Sequence, residues 1–186
     1  MLRFLILGML LLPSFALFSQ KIVIEYDESG TLEYVPAGQS RIGHQGQAVG
    51  WEMPTTEWVD VEGNAISTED WEGKTVVLNF WWVGCTGCAQ EEPYLAQLTE
   101  RYAENEDVLF VSICASKPGK IRRYLKEHEN WGYRIISSNF KAVAENYKVR
   151  TTPTHWIVRD GKLSQSVIGV IRNEEVLDWF VAQIGE

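Results

Sequence analysis

Val76-Val77-Leu78-Asn79-Phe80-Trp81-Trp82-Val83-Gly84-Cys85-Thr86-Gly87-Cys88 is the stretch that decides the architecture of this chain. From Val76 to Trp82 every residue is apolar except Asn79, the pattern of a central strand buried on both faces. Beyond the cysteines, Leu95, Leu98 and Tyr102 recur at helical spacing, which predicts a helix over residues 86–103. The cysteine pair therefore stands where a buried strand turns into a helix. A helix N-terminus carries unpaired N–H groups and positive partial charge, and both favour a thiolate over a thiol. Thiolate is the attacking species in disulfide exchange. Cys85 is thus the expected nucleophile, and Cys88, one turn later, the resolving thiol.

Outward from this stretch the elements alternate. Val108 to Ile113 reads as a second buried strand. Ile121, Tyr124, Leu125 and His128 repeat at i, i+3, i+4 and i+7, the spacing of a second helix. Tyr133 to Ile136 is a short strand candidate, and 140–147 a short helix. Thr154 to Arg159 and Leu163 to Val170 flank Asp160-Gly161, a strong signal for an antiparallel hairpin. Asn173 caps a last helix, with Glu174 and Glu175 in its first turn and Leu177, Phe180, Val181 and Ile184 on its apolar face. This order implies an α/β fold with a central mixed sheet and helices on both sides, three layers in all.

Upstream the chain is less regular. Residues 21–35 form two β-prone runs around Asp27-Glu28-Ser29-Gly30, an N-terminal β-hairpin extension. Residues 36–50 are rich in glycine and read as a linker. Glu57 to Val61 and Ala65 to Ser67 suggest another hairpin about Glu62-Gly63-Asn64. Arg3 followed by an apolar run from Phe4 to Phe18 and then Ser19 has the form of a secretory signal peptide, cleaved after Ser19 or Ala16. The run is shorter than the ~20 residues of a spanning helix, though an uncleaved anchor is the alternative. The expected organisation is residues 1–19 as leader, 20–50 as extension and linker, and 51–186 as the working domain.

Composition narrows the function. The chain has 186 residues, enough for one domain with a core, and most of its eight tryptophans belong in or beside that core. Without the leader, 16 basic residues face 25 acidic ones, a net charge of −9. Such a balance, with no basic run, argues against nucleic-acid binding. Cys85, Cys88 and Cys114 are too few for a disulfide framework. A zinc site would draw on Cys114, His44, His128 and His155, which lack ligand spacing. A purely structural Cys85–Cys88 disulfide remains an alternative, but closing so small a loop stabilises weakly. No metal or cofactor is expected. Cys114, at the end of the second strand, reads as a buried apolar thiol. His128 reads as packed on its helix, and His155 either approaches the cysteines or points away.

The run Val76 to Trp81 followed by Cys85-Thr86-Gly87-Cys88 resembles the thioredoxin superfamily, and within it the TlpA/ResA-like branch of exported thiol–disulfide oxidoreductases, grouped with the AhpC/TSA-type redoxins. The resemblance covers about residues 45–184. Pro93, five after Cys88, matches a proline that kinks the active-site helix. Thr152-Pro153-Thr154 looks like the family's cis-proline loop, which would face the cysteines and leave the Thr152 backbone free to pair with an extended substrate. Gly169 matches a glycine on the last strand where substrate approaches. The 65 residues from Cys88 to Pro153 leave room for the branch's helix–strand insertion, around 116–138.

The resemblance also assigns roles. Thioredoxin has a buried Asp where this chain has Asn79; ResA-like proteins have Asn there and a Glu three after the second cysteine, here Glu91. Residues i and i+3 share a helix face, so Glu91 is placed to exchange a proton with Cys88. Gly84 stands where many relatives have Trp, and Trp82 is the nearby aromatic. The implied substrates are protein thiols and disulfides. An upstream redox partner, such as a membrane electron donor, is implied too, and the protein is expected to be a monomer. Two other functions compete. A peroxiredoxin would carry Pro-x-x-x-Thr/Ser-x-x before its cysteine, but Leu78 and Trp82 stand there before Cys85, and Trp81 and Cys85 before Cys88. The other is a non-catalytic module that carries copper or docks a partner; copper-carrying relatives have a wider cysteine spacing and a distal His.

Overall fold

The computed structural model describes residues 47–128 and 131–185, and the backbone of 22–26 and 31–36. The expected leader and most of the expected linker, His44 included, lie outside the described residues. In chain order the elements are β1 (Ile22–Tyr26), β2 (Thr31–Pro36), β3 (Glu57–Val59), β4 (Ala65–Ser67), a 3-10 turn (Thr68–Trp71), β5 (Thr75–Trp81), α1 (Thr86–Arg101), β6 (Val108–Cys114), α2 (Pro118–Tyr124), β7 (Arg134–Ser137), α3 (Phe140–Asn146), β8 (Thr154–Arg159), β9 (Lys162–Ile168) and α4 (Glu174–Ile184). Seven strands make one mixed sheet in the order β1-β2-β9-β8-β5-β6-β7, and β3 and β4 pair apart from it.

β5 lies inside this sheet, parallel to β6 and antiparallel to β8. Its alternate residues enter two cores. Val77 and Trp81 join Leu95 and Leu98 of α1 and Leu177 and Phe180 of α4. Val76, Leu78 and Phe80 join Val143 of α3, Trp156 of β8 and Trp71 on the opposite face. The tryptophans follow the expectation: Trp71, Trp81, Trp131 and Trp156 are buried. The period of two has one further consequence. Asn79 on β5 and His155 on β8 are direct cross-strand partners. They interrupt the α1-facing side of the sheet, and both are buried.

The insertion expected around 116–138 is α2 and β7, with β7 extending the sheet beside β6. The structure shortens several expected elements. α1 ends at Arg101, with Tyr102 as its C-cap, and holds Pro93 in its interior. α2 ends at Tyr124, and hydrogen-bonded turns carry the chain to His128. β3 stops at Val59, because Asp60 begins the turn and accepts from the N–H groups of Glu62 and Asn64. β9 stops at Ile168, so Gly169 lies beyond the strand. Residues 50–53 are tied down where a linker was expected to end. Gly50 N–H donates to the Leu163 carbonyl, and Leu163 N–H to that of Trp51.

Candidate active site

The chain leaves β5 through Trp82, Val83 and Gly84. Gly84 has φ +109°, a conformation that favours glycine, and a Cβ there would stand 3.0 Å from the Trp82 ring. That turn delivers Cys85 as the N-cap of α1, where its Sγ accepts the Cys88 N–H at 3.2 Å. The first turn of α1 holds no acidic residue, so nothing there opposes negative charge on sulfur. Cys85 and Cys88 are joined as a disulfide, with Cα atoms 5.3 Å apart.

The loop before β8 closes over the pair. The Thr152–Pro153 peptide bond is cis, and the Thr152 hydroxyl lies 3.5 Å from Cys85 Sγ. Among the described residues no backbone hydrogen bond engages Thr152. Gly169 N–H donates to the Pro153 carbonyl at 3.1 Å, so the glycine after β9 ties down the proline loop. Gly87 is where α1 meets that loop: a Cβ would lie 2.9 Å from Val170 and 3.3 Å from Pro153. A groove lined by Trp82, Phe140, Val149, Arg150 and Thr152 opens beside the cysteines. Phe140 is exposed at its edge and meets the Trp82 ring edge-on.

Beneath the pair, Glu91 is fully buried. It is not the solvated residue that a helix glutamate beside Glu92 would ordinarily be. Its Oε1 accepts from Asn79 Nδ2 at 3.2 Å. Its Oε2 accepts from the Ile171 N–H at 3.2 Å and faces His155 Nε2 at 3.1 Å. Asn79 Nδ2 also faces His155 Nδ1, at 3.3 Å. The sequence leaves the direction of His155 open; the structure turns it inward, onto Glu91. The available signal was a polar residue inside each of two apolar runs, Asn79 and His155.

Glu92, the next residue, faces the insertion. Its carboxylate accepts from the Tyr124 hydroxyl and lies 2.9 Å from His128 Nδ1. The Tyr124 and His128 rings stack at 3.8 Å. Lys120 Nζ donates to the Val83 carbonyl at 2.8 Å, so the insertion also grips the turn before Cys85. Cys114 is fully buried, and burial pushes its thiol up to about 12 despite hydrogen bonds with Ser116 and Val83 that lower it. Among the described residues no group of three or more His, Cys, Asp or Glu side chains is arranged to hold a metal ion.

Comparison with known proteins adds to this geometry. The model of the AhpC/TSA family matches residues 49–166. The thiol-disulfide oxidoreductase ResA of Bacillus cereus (strain ZK / E33L) is 29% identical over 138 residues, covering 73% of this chain and 78% of that protein. ResA of Bacillus subtilis (strain 168) is 24% identical over 139 residues, covering 74% and 76%. The crystal structure of a thiol:disulfide interchange protein of the thioredoxin family from Chlorobium tepidum TLS is similar in fold. It has a TM-score of 0.60 at 22% identity, over 75% of this chain and 99% of that one. With the family model spanning more than half of its length and a cysteine pair opening α1 of a thioredoxin-like sheet, the chain belongs to the AhpC/TSA family, in its TlpA/ResA-like branch.

Proposed function

We propose that this thiol–disulfide oxidoreductase reduces protein disulfides outside the cytoplasm, with Cys85 as the attacking thiolate and Cys88 as the resolving thiol. The observation that carries the proposal is the placement of Cys85. It caps α1, where the helix favours an anion, and lies next to the Thr152 hydroxyl. In the reduced protein, Cys85 thiolate attacks a substrate disulfide. A Cys85–substrate S–S bond forms, the substrate S–S bond breaks, and the first substrate sulfur leaves as thiolate and takes a proton from water. Cys88 then gives its proton to Glu91 and attacks Cys85 Sγ. The Cys85–Cys88 bond forms and the second substrate sulfur leaves, to be protonated in turn. Two electrons pass from the dithiol to the substrate. An upstream dithiol must return them, and a membrane electron donor fits that need.

Thr152 and Pro153 supply the edge on which an extended substrate segment pairs, and Gly169 holds that edge in place while keeping the approach clear. The groove beside Trp82 and Arg150 would receive the residues flanking the substrate cysteine. Export rests on the leader-like residues 1–19; residues 20–50 are then an extension and 51–186 the catalytic domain, acting as a monomer. Trapping tests the cysteine roles. Cys88→Ser should accumulate a mixed disulfide on Cys85, whereas Cys85→Ser should not; equal trapping by both would overturn the assignment. Redox titration in thiol buffers tests the direction. A value near that of thioredoxin, about −270 mV, supports a reductant, and one near that of DsbA, about −120 mV, an oxidant.

A further inference from the structure

His155 is a fully buried titratable side chain that the exchange steps above do not use. Its surroundings define its state. The Asn79 amide nitrogen faces both Glu91 Oε1 and His155 Nδ1, at 3.2 and 3.3 Å. An NH2 group has two hydrogens and no acceptor capacity there, so it donates to both neighbours. Nδ1 must then accept, and the ring proton sits on Nε2, aimed at Glu91 Oε2 at 3.1 Å. Taking the ring to imidazolium would need a proton on Nδ1, where the Asn79 N–H already points. The ring is therefore a fixed donor, and the place left for an incoming proton is the Glu91 carboxylate.

We propose that His155, held by Asn79 in its Nε2–H tautomer, is the positioning residue that keeps Glu91 ionised and aimed as the proton acceptor for Cys88. The inference rests on the dithiol reading above. An ionised carboxylate removed from water is costly unless donors surround it. Here three N–H groups do so, from β5, β8 and the segment after β9. The other groups around the pair do not replace them. On α1, Cys88 is one turn before Glu91. From α4, the Phe180 ring packs edge-on against His155 at 5.1 Å. From the insertion, Tyr133 is buried, and its phenol is held well above its ordinary value, first by burial and then by the Glu91 charge. In the resolution step the Cys88 S–H bond breaks and an O–H bond forms on Glu91. The His155 ring keeps its proton throughout. Without the His155 donor the buried carboxylate loses one of the three N–H groups that offset its removal from water, and resolution slows.

The two exchange steps can be timed separately. Reduced protein mixed with an aromatic disulfide such as dithiobis(nitrobenzoate) should release one coloured thiol when Cys85 attacks and a second when Cys88 resolves. Relative to the unaltered protein, His155→Leu should leave the first release intact, slow the second about ten-fold, and change its pH profile. His155→Gln, which retains an N–H donor, should recover most of the rate. In a Glu91→Gln background, His155→Leu should cause no further slowing, since the residue it acts through is gone. A second release unchanged in rate and profile in His155→Leu, or slowed equally with and without Glu91, would overturn the proposal. No release from the unaltered protein would instead overturn the dithiol reading. If His155→Leu does not fold, imidazole 15N spectra of the unaltered oxidised protein decide. Pyridine-type Nδ1 with pyrrole-type Nε2 is expected, and an imidazolium or the reverse tautomer contradicts the proposal.

Discussion

Glu91 sits where water cannot reach it, and its stability role can be separated from its chemical one. Removing the carboxylate strands three buried donors, on Asn79, His155 and Ile171. A buried donor left unpaired costs about 1–3 kcal/mol. Glu91→Ala should therefore lower stability by about 3 kcal/mol or more, read as a fall in the urea midpoint. Glu91→Gln keeps an acceptor oxygen and most of the volume. It should unfold nearer to the unaltered protein while resolving its mixed disulfide more slowly; unchanged kinetics would remove Glu91 from the proton step. Cys114 gives a second prediction. With its thiol pushed up to about 12 by burial, almost none is thiolate at pH 8. Iodoacetamide at that pH should modify Cys85 of the reduced folded protein and leave Cys114 untouched until denaturant is added, as located by peptide mass. The cysteine pair was legible from sequence because its meaning is local: a strand, a turn and a helix start within a few residues. The partnership of Asn79 with His155 was not. It depends on the register of β5 against β8, and a shift of one residue would have turned His155 to the other face.

At the scale of elements, the insertion and the small β3–β4 hairpin are held to the main sheet by polar contacts that hydrophobic periodicity cannot show. Asp60 joins them. Its Oδ1 accepts the N–H groups of Glu62 and Asn64, its Oδ2 meets the Arg134 guanidinium at 3.1 Å, and its backbone bridges to Ile136. Burial pushes its carboxyl up, but hydrogen bonds from Asn64, Arg134 and Glu62 together outweigh this and hold it below the ordinary carboxylate value. A depressed folded value means that this group stabilises the fold fully above the unfolded carboxylate value, near 4. The contribution is lost as pH falls through the folded value. Asp60→Asn should therefore be less stable than the unaltered protein at neutral pH, with the gap closing below about pH 4, as followed by urea unfolding across pH. A gap independent of pH would contradict the assignment. The same region shows how far periodicity reaches. The repeat Ile121, Tyr124, Leu125, His128 predicted a longer helix than the one that ends at Tyr124. The face it described is real, since Tyr124 and His128 stack and both engage Glu92. Side-chain spacing records which residues share a face, and the unbroken run of i to i+4 backbone bonds can give way to i to i+3 turns, as at Lys126 and Glu127, before that face ends.

For the whole molecule, the direction of electron flow becomes a question of stability. Folding and oxidation form a thermodynamic cycle: a folded state more stable with the disulfide than with the dithiol holds that disulfide more tightly than the unfolded chain does. Two opposed effects set the balance. Closing the four-residue loop between Cys85 and Cys88 removes unfolded-state entropy and favours the oxidised fold by about 2 kcal/mol in the chain-entropy account. Opening the bond frees a thiolate at the N-terminus of α1, and an anion there favours the reduced fold by about 0.3–1 kcal/mol. The loop effect is the larger, so the oxidised protein should be the more stable form by about 1 kcal/mol, and the dithiol the better electron donor. A DsbA-like oxidant has the opposite order, because its reduced form is stabilised. Urea unfolding of the two forms under matched conditions reads the difference directly. A higher midpoint for the oxidised protein supports the reductant assignment. A higher midpoint for the reduced protein would mean that the contacts around the free thiols outweigh loop closure, and that electrons run from substrate to Cys85 and Cys88.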